Sequence, residues 1–228
     1  FFGLYLLVEE IDEAAIGRLF GESGGYLFEY KWTFSWQFEY LGTGLDAYAA
    51  LYEPRTRVTE SAGALYLPVE AMIRTITDAP DDRFVEAMSG YLDPGAFIRL
   101  VAAQAFIGEA DGLLGNWGVN NHYLYRASQK NLHRFVVWDA SSAFHLSDYP
   151  LDAGHAESVL MRRAMAAPDL RAAYHDTLLE AAALADQVED PGTPDAPARG
   201  WLEREAVRLL DLIRDTAYAD RVKPFTNA

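Results

Sequence analysis

Two polar residues flank a predicted β-hairpin in the middle of the chain. Asn121 directly precedes the first strand of the hairpin, and Asp139 directly follows the second. Antiparallel pairing of the two strands brings both side chains to the same open end of the hairpin. Amide and carboxylate oxygens are hard donors of the kind that Mg²⁺ prefers. The pattern therefore predicts a magnesium site, and a bound magnesium ion would suit a phosphate-bearing ligand.

The hairpin itself is predicted from its hydrophobic pattern and its turn. Apolar and aromatic residues dominate His122–Arg126 and Leu132–Trp138, and the polar segment Ala127–Asn131 lies between them. Two such runs joined by a short polar segment are typical of a hairpin. Because Asp139 ends an apolar strand, we expect a carboxylate that is costly to bury unless it is paired or binds a metal.

A third polar residue, Asp111, follows the helix that is predicted most strongly. Asp93-Pro94 forms an N-cap with proline at the first helical position, and an apolar stripe then continues to Ala110. Glu109 and Asp111 place negative charge at the C-terminal end of this helix, against its dipole. An unfavourable placement of this kind favours a functional role for Asp111 over that of a solvated helix-end acid.

These segments resemble the CotH family, the spore-coat protein H group of atypical protein kinases. Asn121-His-Tyr-Leu-Tyr is similar to the N-[HY]-Y-L-Y strand of that family, and Trp138-Asp-Ala-Ser-Ser-Ala-Phe to its W-D-x-D-x-x-F element. Near the N-terminus, G-L-Y-L-L-V-E-E-I-D and then G-Y-L-F resemble a further family segment. Two positions depart from the family pattern, because Ser141 replaces the second acid and Glu29 replaces a lysine.

The resemblance implies transfer of a phosphoryl group from Mg²⁺-bound ATP to Ser or Thr of a protein. It assigns the catalytic role to Asp111, which orients or deprotonates the acceptor hydroxyl, and the metal to Asn121 and Asp139. Asn116 and Asn120 are alternatives to Asn121, since Asp111 and Asn116 have the Asp-x4-Asn spacing of a kinase catalytic loop. The family also suggests a protein substrate of the spore coat, the cell surface or the secreted fraction.

Three residues near the N-terminus are candidates for nucleotide binding. Lys31 and Arg55 are alternative candidates for the contact with phosphate. Glu9 is expected to form an ion pair with whichever of the two makes that contact. Lys31 lies on the same strand face as Glu29, because side chains alternate along a strand. A solvated strand lysine explains Lys31 equally well.

Composition excludes several other classes of function. The chain has 228 residues, 50% of them hydrophobic, with 34 acids against 19 Lys and Arg and a formal charge of −15. Such a protein is globular, and its charge disfavours binding to nucleic acid or anionic membranes. The absence of cysteine excludes disulfides and thiolate metal sites, and no apolar run is long enough for a membrane span. The motifs of serine hydrolases, P-loop proteins and dinucleotide-binding proteins do not occur.

We predict one α+β, kinase-like domain over residues 1–228. Residues 1–60 form the remainder of an N-lobe with a small sheet, and residues 61–228 form a helical C-lobe that carries the hairpin. Because the sequence begins without Met inside a predicted strand, we expect a C-terminal portion of a longer, N-terminally truncated domain. Strands are predicted at Phe1–Glu10 and Tyr26–Lys31. The segment Trp32–Leu41 fits an exposed strand or an exposed aromatic patch, but aromatic residues at this density more often form a small core than a recognition surface. Helices are predicted from Asp12 to Phe20, at Pro68–Thr77, Asp81–Leu92, Asp93–Ala110, Ala153–Ala166, Asp169–Val188 and Gly200–Asp220.

A second hypothesis is a surface or coat protein that binds or adheres without efficient catalysis. Ser141 and Glu29 both favour it, because each removes a charged group that the family pattern contains. The aromatic segment Trp32–Tyr40 would then be the contact surface. His122 and His133 are predicted to be packing or surface residues, since they lack the spacing of zinc-protease ligands.

Overall fold

A computed structural model describes residues 7–189, 192–193 and 196–223. These residues fall into two compact units, one of residues 10–178 and one made of the described parts of residues 1–9 and 179–228. The larger unit contains a four-stranded sheet and most of the helices. No helix within the described ranges is long and apolar enough to cross a lipid bilayer.

The chain is a mixed α+β protein in which helices outnumber strands. The four strands of the main sheet are β1 (Tyr26–Tyr30), β2 (Tyr52–Pro54), β3 (His122–Arg126) and β4 (His133–Val137). A two-residue pair, β5 (Gly192–Thr193) and β6 (Ala196–Pro197), forms a second small sheet. The helices are α1 (Glu13–Phe20), α2 (Leu45–Leu51), α3 (Ala62–Asp78), α4 (Phe84–Met88), α5 (Pro94–Phe106), α6 (Val159–Ala166), α7 (Pro168–Ala185) and α8 (Trp201–Ala219).

The main sheet joins segments that are distant in sequence. Its strand order is β2-β1-β3-β4, and all its pairs are antiparallel. The predicted hairpin is confirmed, with His122 opposite Val137 and Arg126 opposite His133. Strands from both sides of residue 60 therefore share one sheet. The assignment of residues 1–60 and 61–228 to two kinase-like lobes stays a prediction.

The two faces of the sheet pack against different helices. Phe28, Leu124 and Phe135 belong to the large core, which also contains buried residues of α3 and α5. On the opposite face a smaller cluster forms around Ile16 of α1, with the side chains of Leu27, Tyr123, Tyr125 and Val136. Alternation along the strands explains this division, since successive side chains point to opposite faces. The sheet is thus a buried layer that holds both ends of the hairpin in place.

Helix caps that the sequence predicts are present. Asp12 Oδ1 accepts hydrogen bonds from the backbone N–H groups of Ala14 and Ala15, each at 2.9 Å. Gly21 ends α1 with a left-handed φ of 75°, a conformation that glycine adopts at little cost. Asp93 Oδ1 caps α5 through the Ala96 N–H at 2.9 Å. Caps of this kind contribute about 1 kcal/mol each.

Several predicted helices have different bounds in the structure. The predicted helix Asp93–Ala110 ends at Phe106, so that a loop and not the helix delivers Asp111. The segment Ala153–Ala166 is helical only from Val159, because Gly154 has a φ of 74° and Ser158 Oγ caps the helix through the Met161 N–H. The predicted helix Asp81–Leu92 is a 3₁₀ turn followed by the short α4. Helix α2 was not predicted, and α3 begins before Pro68, which lies inside it.

The segment Trp32–Leu41 is neither a strand nor a uniformly exposed patch. Its backbone bonds to a loop and to the start of α6, since Trp36 O accepts from Val119 N–H and Gln37 O accepts from Val159 N–H. The side chains of Trp36 and Phe38 are buried in the large core, as expected of a dense group of aromatic residues. The backbone carbonyls of this segment therefore bond to a loop and a helix end and not to a neighbouring strand.

Both chain ends differ from expectation in the residues that can be described. Most of the predicted strand Phe1–Glu10 lies outside the described residues, and residues 7–10 have no regular structure. The final helix is present as α8, but no side chain of α8 is buried in the described part of the chain. Its predicted apolar side is therefore exposed, including Leu209, Leu210 and Ile213.

Two buried histidines predict a pH-dependent stability. Burial lowers the pKa of His122 to about 3 and that of His133 to about 4. Both must stay neutral in the fold, whereas the unfolded chain protonates them near pH 6.5. Their contribution is therefore complete above pH 6.5 and is lost as the pH falls towards these values. Each histidine is expected to lower the free energy of unfolding by about 1.4 kcal/mol per pH unit in that window.

Denaturant unfolding between pH 6.5 and 5 measures this slope. The variant His122→Phe keeps an aromatic ring against Tyr30 and Phe135, and we expect its slope to be smaller by about 1.4 kcal/mol per pH unit. The exposed His145→Gln is the matched control. An unchanged slope in His122→Phe would show that His122 titrates alike in the folded and unfolded states.

Candidate functional site

The loop between α5 and β3 is fixed by its own buried residues. Leu113 and Val119 are completely buried, and Gln104 Oε1 of α5 accepts the Leu113 N–H at 3.2 Å. Two backbone bonds close the loop, from Asn116 N–H to Ala110 O at 2.9 Å and from Asn120 N–H to Gly112 O at 3.1 Å. The loop is therefore an ordered platform that presents Asp111.

The carboxylate of Asp111 is held by two amide side chains. Asn120 Nδ2 donates to Asp111 Oδ1 at 3.0 Å, and Asn121 Nδ2 donates to Asp111 Oδ2 at 3.1 Å and to Asp111 O at 3.0 Å. Because a carboxylate only accepts, the amide nitrogens must face Asp111. The amide Oδ1 atoms are then the atoms left for a cation. The structure thus brings together Asp111 and Asn121, which the sequence predicted, and adds Asn120.

Glu109 is the acid whose role the sequence analysis did not assign. Its side chain is only 4% exposed, and its Oε1 accepts the Asp111 N–H at 2.9 Å. Its Oε2 is buried without a hydrogen-bond partner among the described residues. Burial raises the pKa of Glu109, and the negative charges of Asp111 and Asp139 add to this rise, while the Asp111 N–H opposes it. Glu109 therefore lies within electrostatic range of both predicted site acids.

Asp139 lies at the open end of the hairpin, as predicted, but it is exposed and not buried. Trp138 N–H donates to Asn121 O at 2.9 Å, which places Asn121 and Asp139 at the same end. Asp139 Oδ1 accepts the Ser141 N–H at 3.1 Å. The burial argument for a metal role is therefore wrong, because water reaches this carboxylate. The position of Asp139 beside Asn121 is the observation that remains.

The backbone at this end has an uncommon conformation. Asn121, Asp139 and Phe144 have φ values of 49°, 47° and 58°. Asn and Asp tolerate the left-handed region better than other non-glycine residues, and Phe does so rarely. Such residues concentrate where surrounding structure fixes a functional geometry. A signal for this was present in the sequence, since Asn and Asp are the residue types that fit such positions.

Lys31 and Arg55 lie together on the edge of the sheet, each paired with acids. Lys31 Nζ is 2.9 Å from Glu29 Oε1 and 2.9 Å from Glu53 Oε2, and Arg55 Nη1 is 3.5 Å from Glu29 Oε2. Hydrogen bonds from Lys31 to Glu29 and Glu53 raise the pKa of Lys31. All four side chains are at least partly exposed, so the pairs contribute little stability. Contact of Lys31 or Arg55 with a phosphate would require exchange of these carboxylates for phosphate oxygens.

A row of side chains connects this cluster with Asp139. Tyr123 lies opposite Glu29 in the register of β1 and β3. The ring of Tyr123 packs edge-on against Trp138, with 5.9 Å between centroids. Trp138 precedes Asp139 directly. The candidate phosphate contacts therefore lie at the same end of the sheet as Asn121 and Asp139.

A groove of about 490 Å³ adjoins the same edge. Among the described residues that line it, Arg55 is the one basic residue, and the acidic ones are Glu10, Asp12, Glu13 and Glu53. This acidic groove does not favour phosphate groups without a cation. It offers room for an uncharged part of a ligand beside Arg55.

The remaining candidates are arranged differently. Asn116 Oδ1 accepts from Tyr149 OH at 3.3 Å, so Asn116 does not join Asn120 and Asn121 on Asp111. Glu9 is exposed and belongs to the smaller unit, and its pairing with Lys31 or Arg55 stays a prediction. His122 and His133 are buried packing residues. Within residues 7–189, 192–193 and 196–223, no three His, Asp or Glu side chains form a metal cluster.

A known protein family matches most of this chain. A family model described as CotH kinase protein matches residues 1–187 of the 228 residues. A search of curated proteins finds no match. The match covers the loop of Asp111, the hairpin and the edge cluster together.

Proposed function

This chain belongs to the CotH kinase protein family, and we propose that it transfers a phosphoryl group from Mg²⁺-bound ATP to Ser or Thr of a protein. The proposal is supported above all by the cluster at the open end of the hairpin, where Asn120 and Asn121 hold the carboxylate of Asp111 and Asn121 bonds to Trp138, the residue before Asp139. Phosphoryl transfer needs positioned groups and charge neutralisation more than covalent help from the enzyme. An oriented carboxylate beside oxygen ligands fits that need. Together with the family membership, it supports our proposal that the fold is kinase-like.

In this proposal Asp111 orients the acceptor hydroxyl and accepts its proton. The two amide donors fix the plane of the carboxylate, and the backbone N–H of Asp111 is fixed by Glu109. A base held in one orientation contributes through proximity as well as proton transfer. Glu109, Asn120 and Asn121 are then positioning residues for Asp111.

Asn121 and Asp139 are the residues that would hold magnesium. Three acids, Glu109, Asp111 and Asp139, interact electrostatically here, and one buried oxygen of Glu109 has no partner among the described residues. An excess of negative charge with an unsatisfied oxygen fits a bound cation. When bound, magnesium would neutralise charge on the phosphates. Lys31 or Arg55 would supply the further phosphate contact, and Glu9 would pair with that residue.

The substrate class is proposed from the family alone. We propose a Ser- or Thr-containing protein of the spore coat, the cell surface or the secreted fraction as the acceptor. Binding of ATP to the purified chain, measured by calorimetry with Mg²⁺ and with a chelator, is the first test. Saturable, metal-dependent binding followed by transfer of the γ-phosphoryl group to protein supports the kinase. Absence of both would reject it.

A second candidate function is binding without efficient catalysis. Trp32, Phe34 and Trp117 are exposed, Trp32 and Trp117 by 49% and 57%, and Trp32 Nε1 donates to Trp117 O at 3.1 Å. An exposed aromatic group of this kind is typical of an interaction surface. The ATP titration separates the two functions, because an adhesive protein needs no nucleotide. Alanine at Trp32 and Trp117 would then reduce adhesion and leave nucleotide binding unaltered.

Ser141 provides a test of how strong the metal site is. Its backbone N–H contacts Asp139 Oδ1 at 3.1 Å, so residue 141 lies next to the proposed ligand. The variant Ser141→Asp adds a hard, charged ligand, and we expect binding of Mg²⁺–ATP to tighten by about 1–2 kcal/mol. Calorimetry at several ionic strengths measures the gain. Equal affinity in both forms would mean that side chain 141 does not reach the metal.

A further inference from the structure

The turn end of the β3–β4 hairpin borders a groove with an unusual charge. The groove has a volume of about 440 Å³, and the described residues that line it include Arg126 and Lys130 but no acid. The whole chain, in contrast, has 34 acids and 19 Lys and Arg. A basic groove on an acidic protein attracts anions locally. The groove lies at the end of the hairpin opposite to Asn121 and Asp139, roughly 17 Å away along a five-residue strand.

Arg126 is a buried cation that forms no ion pair with an acid of the described residues, and the acid whose charge acts on it is Glu60. Its side chain belongs to a residue that is only 5% exposed, and its Nη2 donates to Ala64 O at 2.8 Å. The guanidinium carbon lies 3.7 Å from the ring centroid of Tyr26, which fixes the plane of the group. Burial lowers the pKa of Arg126, yet an arginine remains charged in proteins.

Neither basic residue of the groove is neutralised by a carboxylate. Among the residues that the structure describes, no acid lies within ion-pair distance of Arg126 or Lys130. Arg57, on the same Tyr26 ring at 4.9 Å, pairs instead with Glu60 at 3.5 Å. A buried charge without a partner is costly. An anionic ligand would supply the missing partner.

The groove also adjoins the first turn of α3. Ala64 lines the groove, and it lies in the first turn of this 17-residue helix. The N-terminal end of a helix carries a partial positive charge that favours anions. The Ala64 N–H already donates to Ser61 Oγ at 3.2 Å, so the charged contacts of the groove are Arg126 and Lys130 and not this helix end.

We propose that this groove binds a dianionic phosphate group, with Arg126 and Lys130 as its charged contacts. A guanidinium presents paired donors that match phosphate oxygens, and an ammonium adds a point charge. A phosphorylated side chain carries a charge of about −1.5 to −2 at neutral pH, which matches two cations. A phosphoserine or phosphothreonine peptide and inorganic phosphate are two sources of this group.

Binding of a short labelled phosphoserine peptide to the full chain tests the site by fluorescence anisotropy. Its unphosphorylated serine counterpart and inorganic phosphate, used as a competitor, form the other arms. We expect the phosphopeptide to bind saturably and the serine peptide not to bind. Lys130→Gln, at an exposed turn position, is expected to weaken binding about tenfold. Arg126→Lys, which keeps the charge but loses the paired donors, should weaken it by a similar factor.

Control variants test whether the phosphopeptide binds in this groove. Arg83→Gln removes an exposed arginine that borders a different groove, and it should leave phosphopeptide binding unchanged. Lys130→Gln should leave Mg²⁺–ATP binding unchanged, which separates this site from the proposed active site. Tighter binding of the phosphopeptide than of phosphate identifies the peptide as the source, and equal binding identifies the free anion. No saturable binding, or binding that both Lys130→Gln and Arg126→Lys leave intact, overturns the proposal.

Discussion

Asp111→Asn is expected to lower the rate of phosphoryl transfer by a factor of about 10²–10⁴, the usual contribution of a general base. The substituted amide cannot accept the proton of the acceptor hydroxyl. It also places an NH₂ group next to the amide donors of Asn120 and Asn121. In the unsubstituted protein these donors lie 3.0 and 3.1 Å from the Asp111 carboxylate. Binding of Mg²⁺–ATP should change far less, because the proposed metal ligands are Asn121 and Asp139.

Rate and binding must be measured separately for this variant. Single-turnover transfer of the γ-phosphoryl group gives the rate, and calorimetry gives the affinity for Mg²⁺–ATP. Thermal melting detects a loss of stability from the disturbed hydrogen bonds, which we expect at about 1–3 kcal/mol. Asp82→Asn, in the exposed 3₁₀ turn, is the matched control for the removal of one acid. A full rate in folded Asp111→Asn would assign the base to another residue.

Asp139→Asn is expected to weaken Mg²⁺–ATP binding by about 100-fold or more, since loss of an ionised ligand costs about 3 kcal/mol. Stability should stay the same or rise slightly. Asparagine keeps an Oδ1 acceptor for the Ser141 N–H and tolerates the φ of 47° at this position. It also removes a negative charge that acts on Glu109.

Asp139→Ala distinguishes the ligand role from the backbone role. Alanine loses the same carboxylate, and it also loses the hydrogen bond and the tolerance of a left-handed φ. We expect nucleotide binding to be weakened in both variants, at least as much by alanine, which also lacks an amide oxygen, and we expect Asp139→Ala to be less stable by about 1–2 kcal/mol. Denaturant unfolding and calorimetry check these values. If Asp139→Asn unfolds while its nucleotide affinity per folded molecule is retained, Asp139 is a structural residue.

Local chemistry explains why parts of this fold are predictable from sequence. The caps at Asp12 and Asp93 depend on residues within three positions, and both are confirmed. The hairpin register follows from two short runs and one turn. Asn121 and Asp139 meet at its open end because that result needs only antiparallel pairing.

The failures have a different origin, because they depend on contacts between distant segments. Trp36 is buried in a loop whose carbonyl accepts from Val119, more than eighty residues further along the chain. The ion pairs of Lys31 depend on Glu53, which follows an unpredicted helix. Glu109 was recognised as an acid near Asp111, but its burial depends on how the loop folds back. No local pattern contains this information.

The pairing of β1 with β3 has a consequence for how the chain folds. Tyr26 lies opposite Arg126, so 100 residues separate two partners in adjacent strands. Contacts of such long range slow folding, because the intervening chain loses its entropy before the strands stabilise one another. During synthesis, β1 cannot pair with β3 until β3 has left the ribosome. Until then, the backbone N–H and C=O groups on one edge of β1 have no strand partner. An open strand edge is a site of aggregation. Helix α1 can form early because its caps are local, and it would then cover one face of β1.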